Sequence, residues 1–282
     1  MGIATLGIVG SGIMGSGIAE VAAKAGVDVV LRSRKQETAE AMVVALGKSL
    51  AKQVERGKLE EAAATEIRNR VTATDDLQAL ADCDLVLESV VEDLAVKKEL
   101  FQQLDGIVKP AGILATNTST LPVVELAMAT GRPEQVVGLH FFNPAPMMKL
   151  VEVIAPLTAS DATVTAAKDF AAACGKDVVE VKDRAGFIVN ALLFPYLNNA
   201  VRMLESGTAS RDDIDTAMKG GCNFPMGPLA LLDLVGLDTS LSILDALYDE
   251  FRDPNYAAMP LLRRMVTAGQ LGRKSGSGFY TY

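Results

Sequence analysis

Histidine is almost missing from this sequence: His140 is the only one in 282 residues. Cysteine is scarce as well. Cys83, Cys174 and Cys222 lie far apart and form no CxxC pair. That count and spacing argue against a disulfide framework and against a metal site. They predict a reduced, cytoplasmic protein whose thiols serve as small core hydrophobes. Basic residues are outnumbered, 27 against 35, which leaves a formal net charge of -8. A general nucleic-acid binder carries a basic surface, so that class is excluded, although a local basic pocket for an anionic ligand is not. No run of ~18 uninterrupted apolar residues occurs, so no membrane-spanning helix is expected. The opening "MGIATLGIVG" has no basic region ahead of its apolar stretch, and a signal peptide is not expected either.

What is present is a large apolar fraction, 49% of residues, enough for a sizeable core in one large domain or two. The first half alternates between two patterns. Short β-branched runs ("TLGIVG", "DVVL", "DLVLESVV", "GILATN", "VVGLHFF") read as buried strands. The stretches between them, such as "SGIAEVAAKAG" and "AVKKELFQQLDGIV", read as amphipathic helices. This alternation predicts an α/β fold, a mainly parallel sheet covered by helices. After "KDVVEVKDRAG" the pattern becomes helical, with Gly, Pro and Asn turns. Two domains are therefore expected, 1–184 and 185–282, the second all-helical. Its strongly apolar helices either pack only within their own chain or bury a face against a second copy. The expectation taken forward is a C2 homodimer.

"GIVGSGIMGSGIAE" places Gly10, Gly12 and Gly15 in G-x-G-x-x-G spacing, after an apolar strand and at the start of a helix. Gly10 permits a tight turn, Gly12 lets backbone approach a pyrophosphate, and Gly15 allows close helix–strand packing. The helix N-terminus, at Ile13 and Met14, offers unpaired N–H groups to phosphates. Such a motif by itself is a weak signal. Its place at the first strand–helix junction makes the first domain a Rossmann-type dinucleotide-binding domain. The second strand ends at "LRSRKQ". An Asp or Glu often stands there to bind a ribose 2′-OH, but this chain has Ser33 between Arg32 and Arg34. A small hydroxyl and a guanidinium accommodate a 2′-phosphate where a carboxylate repels it. The cofactor expected is NAD(P)(H), with a lean towards NADP(H) through Ser33 and Arg34. The alternative is that the arginines are solvated or stack on adenine while NAD(H) binds.

The motifs "GIVGSGIMGSGIAE", "VLESVVEDLAVKKELF", "ATNTSTLP", "GLHFFNPAPMMKLVEVI", "DRAGFIVNALLFPYLNNAV" and "LGRKSGSGFYTY" occur in order along nearly the whole chain. Together they resemble the short-chain L-3-hydroxyacyl-CoA dehydrogenases. Ser33 departs from the acid that many members carry. The resemblance implies reversible oxidation of a (3S)-3-hydroxyacyl-CoA to a 3-oxoacyl-CoA, with short acyl chains favoured.

Oxidising a secondary alcohol needs a base for the hydroxyl proton and an acceptor for the hydride. Histidine suits the first task and a nicotinamide the second. His140 ends a predicted strand, where open α/β sheets bind ligands. A lone histidine is also often just a satisfied core residue. The turn through "NPAPMM" permits Glu152 to return beside it, and the resemblance implies that pairing. It also implies that Ser119 and Asn190 flank His140 and orient the substrate, with Ser119 touching cofactor and acyl-CoA as well. Glu92 and Lys97, on composition alone, are solvated surface charges. By resemblance they line the cofactor side, together with Asn117, Asn143 and Lys274. Ser49, Lys52 and Arg56 share one helix face. That spacing fits an ordinary solvated face, and the resemblance implies contact with coenzyme A phosphates. Two other assignments compete: a dehydrogenase of free hydroxy acids of the gulonate type, and a non-enzymatic crystallin-like or redox-sensing member.

Overall fold

Alternating strands and helices fold as their patterns dictate, into one eight-stranded sheet, seen in a computed structural model that describes residues 2–282. The chain divides into two compact units, Met1–Asp183 and Arg184–Tyr282.

In the first unit the elements run β1 (Thr5–Val9), α1 (Ile13–Lys24), β2 (Asp28–Arg32), α2 (Gln36–Glu55), α3 (Glu61–Asn69), β3 (Val71–Thr74), β4 (Leu85–Glu88), α4 (Leu94–Ile107), β5 (Ile113–Thr116), α5 (Val123–Ala127), β6 (Val136–Phe141), β7 (Leu150–Ala155), α6 (Asp161–Ala173) and β8 (Asp177–Lys182). The strand order is β3-β2-β1-β4-β5-β6-β7-β8. Every pairing is parallel except β6 with β7. The central strands β4, β5 and β6 are buried at every residue. Burial on both faces is why they read as continuous apolar runs rather than alternating ones. The edge strand β3, "VTAT", buries only its first residue and carries too little apolar signal to read as a strand.

Gly138 sits inside β6 for a packing reason. Its cross-strand partner is Ile154, and a Cβ at Gly138 would lie 2.7 Å from that side chain. The β6–β7 pairing thereby accommodates a bulky residue on the neighbouring strand.

The second unit contains α7 (Val189–Glu205), α8 (Arg211–Cys222), α9 (Pro228–Val235), α10 (Leu237–Phe251) and α11 (Pro260–Thr267). These pack around their own core, which includes Phe194, Leu197, Leu229, Leu232, Leu244 and Leu262. Two buried carboxylates organise it. Asp215 accepts the Leu229 and Ala230 N–H groups at the start of α9, at 2.8 and 3.0 Å. An acid there satisfies orphan donors and complements the helix dipole. Asp233 accepts the Phe279 and Tyr280 N–H groups and so fixes the C-terminal tail. Asn198, wholly buried, donates to the Ala257 carbonyl and accepts the Met259 N–H.

The thiols divide by position. Cys83 is buried and burial pushes its thiol up to about 11, while Cys174 is half-buried and pushed up to about 12. Cys222, however, is exposed at the end of α8 and is no core hydrophobe. Their immediate sequence neighbours carry no signal that distinguishes these fates. Among the described residues, no helix is long and apolar enough to cross a membrane.

Asp84 ties the start of β1 to the start of β4. It accepts the Ala4 and Thr5 N–H groups, the Thr5 hydroxyl and, at 2.6 Å, the Lys109 ammonium. Partial burial opposes its ionisation, but these donors prevail and hold its carboxyl down at about 2. The stability it supplies is complete above its ordinary unfolded value and is lost as pH falls through about 2. Asp84→Asn should therefore cost on the order of 1–2 kcal/mol at pH 7, discounting for partial exposure. Below pH 2 the variant and the parent should converge, as read from urea unfolding across pH.

Candidate active site

Gly10 leaves β1 in a left-handed conformation, φ +140°, and its backbone runs hard against the next strand's exit. A Cβ there would sit 2.2 Å from the Ser89 carbonyl oxygen. Only glycine satisfies both constraints. Gly15 is equally confined, with a Cβ position 2.8 Å from the Gly10 carbonyl and 2.9 Å from Met42. Gly12 differs: it caps α1, and a Cβ there would meet nothing within 4 Å. The first turn of α1 has no side-chain cap and no acidic residue, and Ile13 is exposed. Open N–H groups on an uncapped helix end, with clear space before them, are the donor set that a dinucleotide pyrophosphate needs.

At the end of β2, Ser33 is buried and its N–H donates to the Thr74 carbonyl. Arg32 is held by the Asp75 carbonyl, whereas Arg34 is exposed. Neither side chain places a carboxylate at this position.

The antiparallel register of β6 with β7 makes His140 and Glu152 direct cross-strand partners. The sequence only permitted their approach; pairing across the hairpin accomplishes it. Glu152 is fully buried and its Oε2 lies 2.7 Å from His140 Nδ1. A carboxylate only accepts, so Nδ1 carries the hydrogen and Nε2 is the proton-exchanging atom. Ser119 Oγ stands 3.2 Å from that Nε2. The Phe142 ring packs against the imidazole with centroids 4.5 Å apart. The resulting line, hydroxyl to imidazole to buried carboxylate, can take a proton and stabilise the imidazolium formed.

Asn117, just past β5, accepts the Phe141 N–H on its Oδ1 at 2.8 Å. It thus clamps β5's exit to the strand carrying His140. Asn143 is exposed in the turn after β6. Asn190 lies in the first turn of α7, in the helical unit. Lys274 pairs with Asp238 at 2.6 Å within that same unit. Ser49 and Lys52 lie late in α2, and Arg56 caps its end with its N–H still bonded to the Lys52 carbonyl, so the expected common face is helical. Lys52 and Arg56 are exposed and Ser49 is half-buried.

Composition alone made Glu92 and Lys97 surface charges, and for Lys97 the structure corrects this. Lys97 is 1% exposed and bonds Glu88 at 2.7 and 2.9 Å. It also lies 3.1 Å from Glu92. Glu92 in turn accepts the Thr118 hydroxyl and the Ser119 N–H. Burial opposes ionisation of Glu92, but the Lys97 charge and these donors outweigh it and hold its carboxyl below the usual range. Glu88, Thr116 and Thr118 carry little signal in the sequence itself. The available signal was an acid closing the apolar run "LVLE" at a carboxyl-terminal strand end beside the glycine strand.

Both units have matching family models. Residues 5–184 match the NAD binding domain of 3-hydroxyacyl-CoA dehydrogenase, and residues 186–282 match its C-terminal domain. The chain is 50% identical to a 3-hydroxybutyryl-CoA dehydrogenase of Mycobacterium tuberculosis, over 98% of each chain. It is 43% identical to the human mitochondrial hydroxyacyl-coenzyme A dehydrogenase, covering 98% of this chain and 90% of that one. The crystal structure of an (S)-3-hydroxybutyryl-CoA dehydrogenase from Ralstonia eutropha superposes with a TM-score of 0.97 at 42% identity, covering 99% of each chain. With the His140–Glu152 pair at the sheet's carboxyl edge and both halves matched, the chain belongs to the 3-hydroxyacyl-CoA dehydrogenase family.

Proposed function

We propose that this chain is an NAD-dependent 3-hydroxybutyryl-CoA dehydrogenase, interconverting short-chain (3S)-3-hydroxyacyl-CoA and 3-oxoacyl-CoA. The observation that carries this is the Ser119–His140–Glu152 line, set in a chain that matches the family along both units.

When bound, the nicotinamide supplies the hydride acceptor in oxidation and the donor in reduction. His140 takes the 3-hydroxyl proton on Nε2 in oxidation and returns it in reduction. Glu152 fixes the tautomer and balances the imidazolium charge from a buried position, where that balance is worth most. Ser119 and Asn190 act as hydrogen-bond donors to the 3-oxygen and the thioester carbonyl. Gly10, Gly12, Gly15, Ile13 and Met14 form the pyrophosphate-facing turn, and Glu92 lines the cofactor side with Asn117 and Asn143 near the nicotinamide; Lys97 acts there through Glu92, and Lys274 is a further cofactor-binding position. The exposed Lys52 and Arg56, with Ser49, suit the phosphates of coenzyme A in an otherwise acidic protein. In this assignment residues 1–184 bind the dinucleotide and residues 185–282 form the helical unit through which the chain dimerises.

Reduction of acetoacetyl-CoA by NADH, with no comparable turnover of free acetoacetate or gulonate, is the expected assay result. His140→Ala should lower kcat by at least about 100-fold with NADH affinity retained. Glu152→Gln should cost less than His140→Ala, since the imidazole remains, but should still lower kcat because the amide neither dictates the Nδ1–H tautomer nor balances the imidazolium charge. Loss of NADH binding along with turnover would make His140 a structural residue instead.

NADP(H) acceptance is the finer part of the proposal and rests on Ser33 and the exposed Arg34. Ser33→Asp should weaken NADPH binding by about 10-fold or more relative to NADH, through repulsion of the 2′-phosphate. An unchanged affinity ratio, measured by fluorescence titration, removes this part.

Homodimerisation through the helical unit draws support from exposed apolar side chains there, Leu192, Met203 and Leu234. Sedimentation equilibrium should give twice the chain mass at micromolar concentration. Leu192→Asp should shift the species towards monomer.

A further inference from the structure

A buried carboxylate outside the proton-transfer line joins the two loops that build the site. Glu88 is the last residue of β4 and is wholly buried. Both of its oxygens are committed. Oε1 accepts the Val90 N–H at 2.6 Å and the Lys97 ammonium at 2.7 Å. Oε2 accepts the Thr116 hydroxyl at 2.7 Å and Lys97 at 2.9 Å. A buried acid with four such contacts is strongly ordered, because losing any one strands a charge in a poorly solvating interior.

The contacts lead in two directions. The Val90 bond sets the Ser89–Val90 turn, and Gly10 packs on that turn so closely that no Cβ fits. The Lys97 bond leads to Glu92 at 3.1 Å, and Glu92 accepts the Ser119 N–H at 2.9 Å. Ser119 then meets His140. The Glu88 backbone adds a third tie: its carbonyl accepts the Asn117 N–H, and Asn117 holds Phe141 beside His140.

We propose that Glu88 is a positioning residue that sets the glycine turn and the Ser119 loop in register, acting on catalysis through Lys97, Glu92 and Ser119. It touches no reacting atom. It anchors an ammonium that would otherwise swing towards Glu92 alone, and Glu92 would then no longer hold the Ser119 backbone where the hydroxyl reaches Nε2. This inference rests on the reaction proposed above.

The test is a double-mutant cycle with single-turnover reduction of acetoacetyl-CoA at saturating NADH. Glu88→Gln keeps volume and, with its oxygen at the Oε1 position, the Val90 contact, but presents an amide N–H₂ to Lys97 and to the Thr116 hydroxyl, whose bond must reverse. It should lower the rate by about 10-fold or more, with the KM for acetoacetyl-CoA moved less than about 3-fold. In a Ser119→Ala background the same substitution should cost less than about 2-fold, because the group through which it acts is gone. Thr116→Val, which removes one bond to Glu88 and the bond from the Thr118 N–H to the same hydroxyl while keeping both buried charges, should show the same background dependence with a smaller loss. It carries the test if Glu88→Gln does not fold. An equal loss in both backgrounds, or no loss in either variant, overturns the proposal. Absence of turnover by the parent enzyme would instead fail the assigned reaction.

Discussion

The antiparallel pairing of β6 with β7 is the constraint on which the site depends. In that register His140 faces Glu152, Leu139 faces Val153, and Gly138 faces Ile154. Side chains alternate between faces along a strand, so a slip of one residue would turn Glu152 away from the imidazole and set an unpaired carboxylate in the core. The apolar neighbours forbid that slip as firmly as the His140–Glu152 hydrogen bond does. Val151, Val153 and Ile154 are all fully buried, and the small Gly138 has room only for the partner it has. The proton-transfer pair is thus held by sheet packing that has no chemical role.

The same logic extends across the sheet's carboxyl edge. Strand exits from β1, β4, β5 and β6 are tied to one another by polar contacts: Gly10 against Ser89, Asn117 to Glu88 and Phe141, Ser119 to Glu92 and His140. Backbone that leaves a strand loses its ladder partners and must find others. Here the partners are side chains of neighbouring exits, so satisfying the backbone also fixes the distances between groups. Buried charge serves this purpose at some cost in desolvation. Lys97 between Glu88 and Glu92 is an expensive arrangement to build, and such arrangements are better suited to specifying geometry than to adding net stability.

The helical unit uses carboxylates in a parallel way. Asp215 and Asp233 gather backbone N–H groups from distant segments, the start of α9 and the C-terminal tail. Tyr280 bridges to Asp215 through its hydroxyl at 2.9 Å, linking the two anchors. A short tail rich in glycine and serine has little apolar surface to bury, and hydrogen bonds to buried acids replace what packing cannot supply.

The local patterns of the sequence determined a good deal. Continuous β-branched runs announced the buried parallel strands, the glycine spacing marked the first turn, and the change to helical periodicity marked where the second unit begins. The motif order identified the family, and His140 stood out because it has no rival. Only tertiary structure decided which charges are inside. Lys97 and Glu88 look like their exposed neighbours in the sequence, and the exposed Cys222 looks like the buried Cys83. Burial depends on which strand exits meet, and those meetings are long-range contacts with no local periodicity to reveal them. Glu152 lies between the two cases. The turn through "NPAPMM" permitted its return beside His140, but only the hydrogen-bond register of β6 and β7 put its carboxylate 2.7 Å from the one imidazole in the chain.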